Sequence, residues 1–152
     1  MAKVKTYVNT ALFQVQKSTT GTVQPFAPVN VNKYRKLKDA KAPTRAKLRI
    51  DRLYICAEPG QDKGLIAKAL KGATLSLVGQ TGNRIELGPA SLWCADLMPY
   101  TSDESFNLPV PVVIPEGAPY DVVVEYQEPN GLADKEVCNL FIKLEGVEVE
   151  ER

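Results

Sequence analysis

The sequence contains no histidine, and its 152 residues include only three cysteines. The absence of histidine removes the commonest general base, the Ser-His and Cys-His nucleophile pairs, and the imidazole ligands of most zinc sites. Catalysis would have to rely on carboxylates, lysine or tyrosine. We therefore expect a protein that is not an enzyme and that has no catalytic residues, no cofactor and no metal site.

The three cysteines, Cys56, Cys94 and Cys138, are widely spaced, and each lies in or beside an apolar run. Their odd number and the lack of a Cys-X-X-Cys motif argue against a disulfide framework. We expect free thiols that are buried as small hydrophobic side chains, in a protein of a reducing compartment.

Long apolar runs are also missing, so the sequence predicts no membrane-spanning helix. The N-terminal residues lack the apolar core and the small-residue cleavage site of a secretory signal, and residence in a cytoplasm is expected. Hydrophobic residues make up 44% and charged residues 24% of the chain, which is typical of a globular protein. A chain of this length suits one well-cored domain.

Acidic residues are scarce in the first half of the chain, and basic residues are scarce in the second. Residues 1–76 hold 15 Lys and Arg against 4 Asp and Glu, a net charge of +11. Residues 77–152 hold 4 against 14, a net charge of −10. Such asymmetry indicates a tail that faces nucleic acid or a membrane, or head-to-tail self-association. The alternative is that the two halves interleave in the fold.

A block of basic residues over 33–49 contains a single acid, Asp39. Clustered cations displace the counterions of nucleic acids, so phosphate binding is one interpretation, and a solvated positive face is the other. Only Tyr34 interleaves as an aromatic residue, which gives no base-stacking platform. The candidate contacts to nucleic acid or to another subunit are Lys33, Arg35, Lys36, Lys38, Lys41, Arg45 and Lys47.

Two segments around residue 117 alternate apolar residues at a period of two, which is typical of half-buried strands. They are joined by the five residues 115–119, which suit a hairpin or a short corner between strands. Pro109 and Pro111 cannot donate to a sheet, so their strand should lie at an edge and is a candidate subunit contact. The second strand should lie deeper. The alternating residues are Leu108, Val110, Val112 and Ile114, then Tyr120, Val122, Val124 and Tyr126.

Further strands and one short helix are predicted elsewhere along the chain. A strand starts at Leu48, and its change of parity at Asp51-Arg52 indicates a bulge. The only tryptophan, Trp93, is predicted to be a core residue or an interface anchor. The remaining predictions are a helix over 63–71 closed by Gly72, a hairpin of strands 74–78 and 84–87, and a last strand over 133–144 interrupted at Glu145-Gly146.

Seven or eight short strands separated by Gly and Pro turns predict an all-β fold, with one helix in addition. We expect an antiparallel two-sheet sandwich in the form of a single jelly roll. The predicted division is an extended basic N-terminal arm over residues 1–45 and a β-sandwich domain over residues 46–152.

The run from Leu48 to Leu144 resembles the jelly-roll capsid proteins of tailless icosahedral phages, over about two-thirds of the chain. Three segments carry the resemblance: the helix of residues 63–71 followed by a strand at 75–77, the segment 114–124, and the closing strand at 142–146. The chain is too short for the double jelly roll of the major capsid proteins of that group.

The resemblance implies a virion structural protein with a single roll, such as a capsomer, a penton-type protein or a minor capsid protein. Such a protein is made in the host cytoplasm and resides in the virion of a bacteriophage. It would form a homo-oligomer and contact other virion proteins, and its basic arm would contact nucleic acid non-specifically.

Two other functions stay open from the residues alone. One is a β-sandwich module that binds carbohydrate or another ligand. It requires an exposed aromatic platform, and a buried Trp93 with Tyr54, Tyr100, Tyr120 and Tyr126 scattered would argue against it. The other is a nucleic-acid-binding protein that uses the basic block 33–49.

Overall fold

The computed structural model of the protein describes residues 3–27, 35–79, 84–102 and 104–150. Within these residues the chain forms nine strands, one α-helix and two short 3-10 helices. The strands are β1 (Lys3–Gln16), β2 (Gly21–Val23), β3 (Arg35–Lys36), β4 (Lys47–Ala57), β5 (Ala73–Val78), β6 (Arg84–Pro89), β7 (Asn107–Ile114), β8 (Asp121–Tyr126) and β9 (Val137–Glu150). The helices are α1 (Lys63–Ala69) and the 3-10 turns Ala90–Trp93 and Ala95–Leu97.

The strands form two antiparallel sheets around a common core. The five-stranded sheet has the order β3-β1-β9-β4-β7, and the four-stranded sheet has the order β2-β8-β5-β6. Apolar side chains from both sheets pack into one buried cluster. The predicted all-β, two-sheet sandwich with one α-helix is confirmed.

The pairing of the strands is nested. The first strand pairs with the last, β1 with β9, and the second with the last but one, β2 with β8. Continuing inward, β4 pairs with β7, and β5 pairs with β6. The two-residue strand β3 is added at the free edge of β1. The chain is therefore a long antiparallel hairpin folded over into two layers.

The N-terminal segment belongs to the sandwich. Strand β1 pairs with β9 along its whole length, from Lys3 opposite Glu150 to Gln16 opposite Val137. From Tyr7 to Val15 every second residue, Phe13 among them, is buried, and the residues between them face outward and are half-buried or exposed. The predicted arm over residues 1–45 is corrected accordingly, since β1, β2 and β3 are strands of the sheets and the sandwich does not begin at residue 46.

Strands β7 and β8 lie in different sheets, so residues 115–119 form a corner between the layers and not a hairpin. As predicted, β7 lies at an edge and β8 lies inside its sheet, between β2 and β5. All four alternating residues of the β8 segment are buried. In β7 the alternation fails at Val110, which is 72% exposed. An edge strand has a neighbour on one side only, and less of it is covered.

The predicted bulge in β4 is confirmed, because the register with both neighbouring strands shifts between Ile50 and Arg52. The predicted interruption of the last strand at Glu145-Gly146 is wrong, because β9 continues through Gly146 to Glu150. Gly146 lies opposite Ile50 at the bulge, and a Cβ atom there would overlap the carbonyl oxygen of Arg49. The glycine is needed for the close approach of β4 and does not interrupt the strand.

The nested pairing also places the basic half of the chain against the acidic half. Strand β9, from the acidic half, lies between β1 and β4, from the basic half. Lys3 is opposite Glu150, and the Nη1 atom of Arg52 lies 3.0 Å from the Oε2 atom of Glu145. The two halves therefore interleave, and the charge asymmetry along the sequence does not divide the molecule into a basic and an acidic lobe.

The predicted helix and the predicted hairpin are present. The side chain of Asp62 caps α1 by accepting a hydrogen bond from the N–H of Leu65, and Gly72 follows the helix with a left-handed φ of 74°. Strands β5 and β6 pair as expected, while the middle of their connection, residues 80–83, lies outside the described residues. With seven residues α1 is far too short to cross a bilayer, and no other described helix could do so.

Candidate functional site

The basic block does not form one continuous surface. Lys33 lies outside the described residues, and Arg35 is exposed on β3. The side chain of Lys36 is only 11% exposed, because its Nζ atom turns inward to the carbonyl oxygen of Phe26 at 3.4 Å and to Asp39 at 3.8 Å. Lys36 therefore stabilises the fold locally and is not presented to a partner.

The remaining predicted contacts, Lys38, Lys41, Arg45 and Lys47, are exposed. Within the described residues none of the four lies in an ion pair, although Lys38 places its ammonium 4.9 Å from the ring centre of Tyr7. Lys38, Lys41 and Arg45 lie on a crossing segment, residues 37–46, which runs from β3 past β1 and β9 to β4 within the five-stranded sheet, and Lys47 is the first residue of β4. Main-chain hydrogen bonds fix the crossing segment against the corner 115–119, from Ala42 N to the oxygen of Ala118 at 2.8 Å and from Tyr120 N to the oxygen of Ala40 at 2.9 Å.

A buried polar network lies under this crossing segment. The hydroxyl groups of Tyr7 and Tyr120 are 2.7 Å apart, and the Nδ2 atom of Asn9 donates to the Tyr120 hydroxyl at 2.8 Å. The Oδ1 atom of Asn9 accepts from the N–H of Lys38 at 2.9 Å. Burial raises the pKa of both tyrosines, so the hydroxyls stay protonated and the network is structural.

The edge strand β7 presents the predicted subunit contact. Pro109 and Pro111 are exposed, as are Val110 and Val113, the latter 57% exposed. Two prolines remove two backbone donors, and the bulge opposite them interrupts the pairing with β4. The edge therefore offers apolar side chains to a partner more readily than a continuous row of backbone donors.

Trp93 is half-buried and belongs to an aromatic cluster at the start of β7. Its ring centre lies 6.2 Å from that of Phe106, and Phe106 stacks on Tyr54 at 5.6 Å. The Nε1 atom of Trp93 donates to the carbonyl oxygen of Leu87 at 2.9 Å. Sequence reasoning missed Phe106, because it lies in a polar loop and meets the other rings only through the fold.

Phe106 also has an unusual backbone. Its φ of 65° is left-handed, which is uncommon for a bulky residue and costs about 1 kcal/mol or more. Two bonds to the bulged part of β4 hold it there: its carbonyl oxygen accepts from Leu53 N at 3.3 Å, and that of Ser105 accepts from Arg52 Nε at 2.6 Å.

An open cleft of about 320 Å³ lies on the solvent side of Trp93 and Phe106. Tyr100 and Leu92 stand at its rim and are 83% and 60% exposed. Tyr120 and Tyr126, in contrast, are buried in the core. The aromatic residues therefore fall into two groups. Tyr120 and Tyr126 belong to the core, whereas Trp93, Tyr100 and Phe106 line a cleft at the surface, as a ligand-binding module requires.

The cysteines are free thiols, as predicted, with Cys94 and Cys138 buried and Cys56 half-buried. Burial raises the pKa of Cys94 and of Cys138 to about 11, and it raises the pKa of Cys56 as well. The thiolate is the reactive form, so these residues are poor nucleophiles at neutral pH.

Within the described part of the chain, no cluster of three or more Cys, Asp or Glu residues is arranged to hold a metal ion. The carboxyl group of Asp121 has its pKa raised by burial, and it accepts hydrogen bonds from Val122 N and from Gln24. That carboxyl group is committed to holding the start of β8.

No protein-family model matches the chain, and no curated protein is significantly similar to it. The function must therefore be argued from the fold and the surfaces described above.

Proposed function

We propose that the protein is a non-enzymatic virion structural protein, built on a single jelly roll and assembling through contacts between copies of the sandwich. The observation that carries the proposal is the nested pairing of β1 with β9, β2 with β8, β4 with β7 and β5 with β6. A hairpin folded over in this way supports the jelly-roll interpretation, and virus capsid proteins are among those built on jelly rolls.

The perturbed titratable groups agree with a structural role. Strong pKa shifts often mark catalytic sites, where such groups meet in a cleft. Here the shifted tyrosines and thiols, such as Tyr120 and Cys94, are buried in the core, and their shifts follow from that burial. They hold the sandwich together and keep their protons at neutral pH.

The edge strand β7 is the surface we assign to contact between copies. It lies at the open edge of the five-stranded sheet and exposes Val110 and Val113 beside the two prolines. Exposed apolar residues at the edge of a sheet are typical of interaction sites. The exposed cations of the crossing segment, Lys38, Lys41 and Arg45, together with Lys47 at the start of β4, form a second contact, with packaged nucleic acid.

Sedimentation velocity over a wide range of protein concentrations tests the proposal, together with negative-stain microscopy. We expect assemblies of defined size, and we expect Val113→Asp to weaken them. Leu37→Asp is the matched control, because Leu37 is 68% exposed but lies beside β3, at the opposite edge of the sheet. A strict monomer at the highest concentration, and absence of the protein from a purified particle, would contradict the proposal.

The nucleic-acid contact is tested separately by filter binding with single-stranded DNA at low salt. A steep fall of affinity with salt concentration is expected, because each phosphate contact releases counterions. Replacing Lys41 and Arg45 by glutamine should reduce that dependence, whereas replacing Lys63, the first residue of α1, and Lys71, which follows the helix, should leave it unchanged. No binding at low salt would exclude the contact.

A further inference from the structure

We propose that the cleft beside Trp93 and Phe106 is a binding site for a neutral oligosaccharide. The cleft is formed within one copy of the chain, and none of its lining residues belongs to the basic block 33–49. The cleft has a volume of about 320 Å³, enough for one or two sugar rings. It is lined by Leu92, Trp93, Met98, Tyr100, Glu104, Ser105, Phe106 and Asn107.

The aromatic wall of the cleft is held rigidly. The indole N–H of Trp93 is already bonded to the Leu87 carbonyl oxygen, so the part of Trp93 that remains for a ligand is its ring. Phe106 is fixed from behind by its stacking on Tyr54, and Tyr54 is itself covered by the guanidinium of Arg52 at 4.6 Å from the ring centre. Rings that are fixed before binding lose little conformational freedom when a ligand arrives.

The position of Phe106 is maintained in spite of a backbone cost. Its left-handed φ of 65° is sustained by the hydrogen bonds that tie residues 105 and 106 to β4. Backbone strain of this kind collects at functional sites. Here it brings the ring of Phe106 to the wall of an open cleft beside Trp93.

The rim supplies what a sugar needs in addition to the rings. Tyr100, which is 83% exposed, adds a third ring, and Glu104 and Asn107 place a carboxylate and an amide at the same cleft. Neither of these two side chains makes a hydrogen bond or an ion pair with another described residue. A pyranose has an apolar face of C–H groups that packs on aromatic rings, while its hydroxyl groups donate to a carboxylate and exchange hydrogen bonds with an amide.

The charges at the cleft select against other ligands of similar shape. Among the described residues no lysine or arginine lines it, and Glu104 contributes a negative charge. A nucleotide or a phosphorylated sugar would be repelled, since phosphate recognition depends on cations or backbone N–H groups. The larger cleft of about 560 Å³ beside α1 has no aromatic residue in its lining, and it offers no comparable stacking surface.

Trp93 is the only tryptophan in the chain, so fluorescence excited at the red edge of the indole band, where tyrosine does not absorb, reports on this cleft. We would titrate the full-length protein with maltohexaose, cellohexaose and chitotetraose, and with choline and adenosine monophosphate as cationic and anionic probes. A saturable change in fluorescence with at least one saccharide is expected. Tyr100→Ala should raise its Kd about tenfold, in line with the loss of one stacking contact, and Leu37→Ala should leave the Kd unchanged.

Three results would overturn the proposal: no saturable change with any of the three saccharides, the same Kd in the Tyr100→Ala variant, or a stronger response to choline or to adenosine monophosphate. Far-UV circular dichroism would check that Tyr100→Ala is folded. If it is not, Glu104→Gln replaces it, because this substitution keeps the size of an exposed side chain and removes only the charge. The Kd should then rise, and an unchanged Kd in Glu104→Gln would count against the site.

Discussion

Strands β7 and β8 follow each other along the chain and have the same apolar alternation, yet they differ sharply in burial. In β8 and the residue before it, Tyr120, Val122 and Val124 are at most 4% exposed. In β7, Val110 is 72% exposed although it shares the parity of the buried residues Leu108 and Ile114. The difference arises because β8 has a strand on each side and β7 has one. Periodicity therefore identifies a strand, and the position in the sheet decides how much each residue contributes to stability.

The largest difference in stability between the two strands is expected when a charged side chain replaces one valine in each. Val124→Asp places a carboxylate in the core at a fully buried position, and we expect a loss of more than about 4 kcal/mol or complete unfolding. Val110→Asp, with the same chemistry at the edge, should change stability by less than about 0.5 kcal/mol. Urea denaturation followed by circular dichroism measures both. If Val124→Asp cannot be purified, Val124→Ala should still lose about 2 kcal/mol. Equal losses for Val124 and Val110 variants would show that the two strands are equivalent.

A second effect is loss of stability at alkaline pH. The folded state holds the protons of Cys94 and Cys138 up to a pKa of about 11, against 9.0 for an unperturbed thiol. The stability due to these protonated thiols is fully present below pH 9 and is lost as the pH rises through 11, because the unfolded chain ionises first. We expect a fall of about 2 kcal/mol per thiol across this window. The buried tyrosines, whose pKa values are also raised, add to the loss above pH 10.

The alkaline loss is measured by urea denaturation at a series of pH values. In a variant with Cys94→Ala and Cys138→Ala, the curve between pH 9 and 11 should be flatter than in the wild type. A fall of the same size in that variant would assign the effect to other groups.

A smaller effect is expected at the start of β8. Tyr120→Phe removes the hydroxyl that bonds Tyr7 and Asn9, and it leaves buried polar groups without their partner. We expect the free energy of unfolding to fall by about 1–2 kcal/mol. Tyr100→Phe, at an exposed residue, should have almost no effect on the same measurement. A Tyr120→Phe variant as stable as the wild type would mean that water replaces the hydroxyl.

The smallest change in stability is expected at the edge itself. Pro111→Val should alter the unfolding free energy by less than about 0.5 kcal/mol, because the residue is exposed at the edge of the sheet. It restores a backbone N–H to the edge, however, and should increase self-association measured by sedimentation. Pro99→Val, in an exposed loop, is the control. Unchanged self-association would show that the prolines do not protect this edge.

Much of the local structure could be predicted from the sequence. The buried face of β8, the shared face of Cys138, Leu140, Ile142 and Leu144, and the bulge at Asp51-Arg52 all follow from the order of residues in a single segment. The helix after Asp62 follows from its cap. These features depend on neighbours along the chain, which a sequence displays directly.

The candidate cleft could be predicted only in part. The sequence predicts that Trp93 is a core residue or an interface anchor, but it does not predict Phe106, whose ring reaches Trp93 and Tyr54 through a loop that docks on the β4 bulge. The basic block shows the opposite case. Its residues are adjacent in sequence, yet the fold turns Lys36 inward and leaves Lys41 and Arg45 exposed.

The order of residues identifies the longer strands after residue 46 and the apolar face of β4, β8 and β9, because side chains alternate along a strand whatever lies beside it. Strand pairing, which a sequence does not display, places β1 in the sheet, keeps Gly146 inside a continuous strand, and separates β7 and β8 into two layers. Pairing joins segments that are distant in sequence, and the nested order here joins the first strand to the last. The same order pairs strands of the basic half of the chain with strands of the acidic half. The charge asymmetry along the sequence therefore does not become an asymmetry between two parts of the molecule.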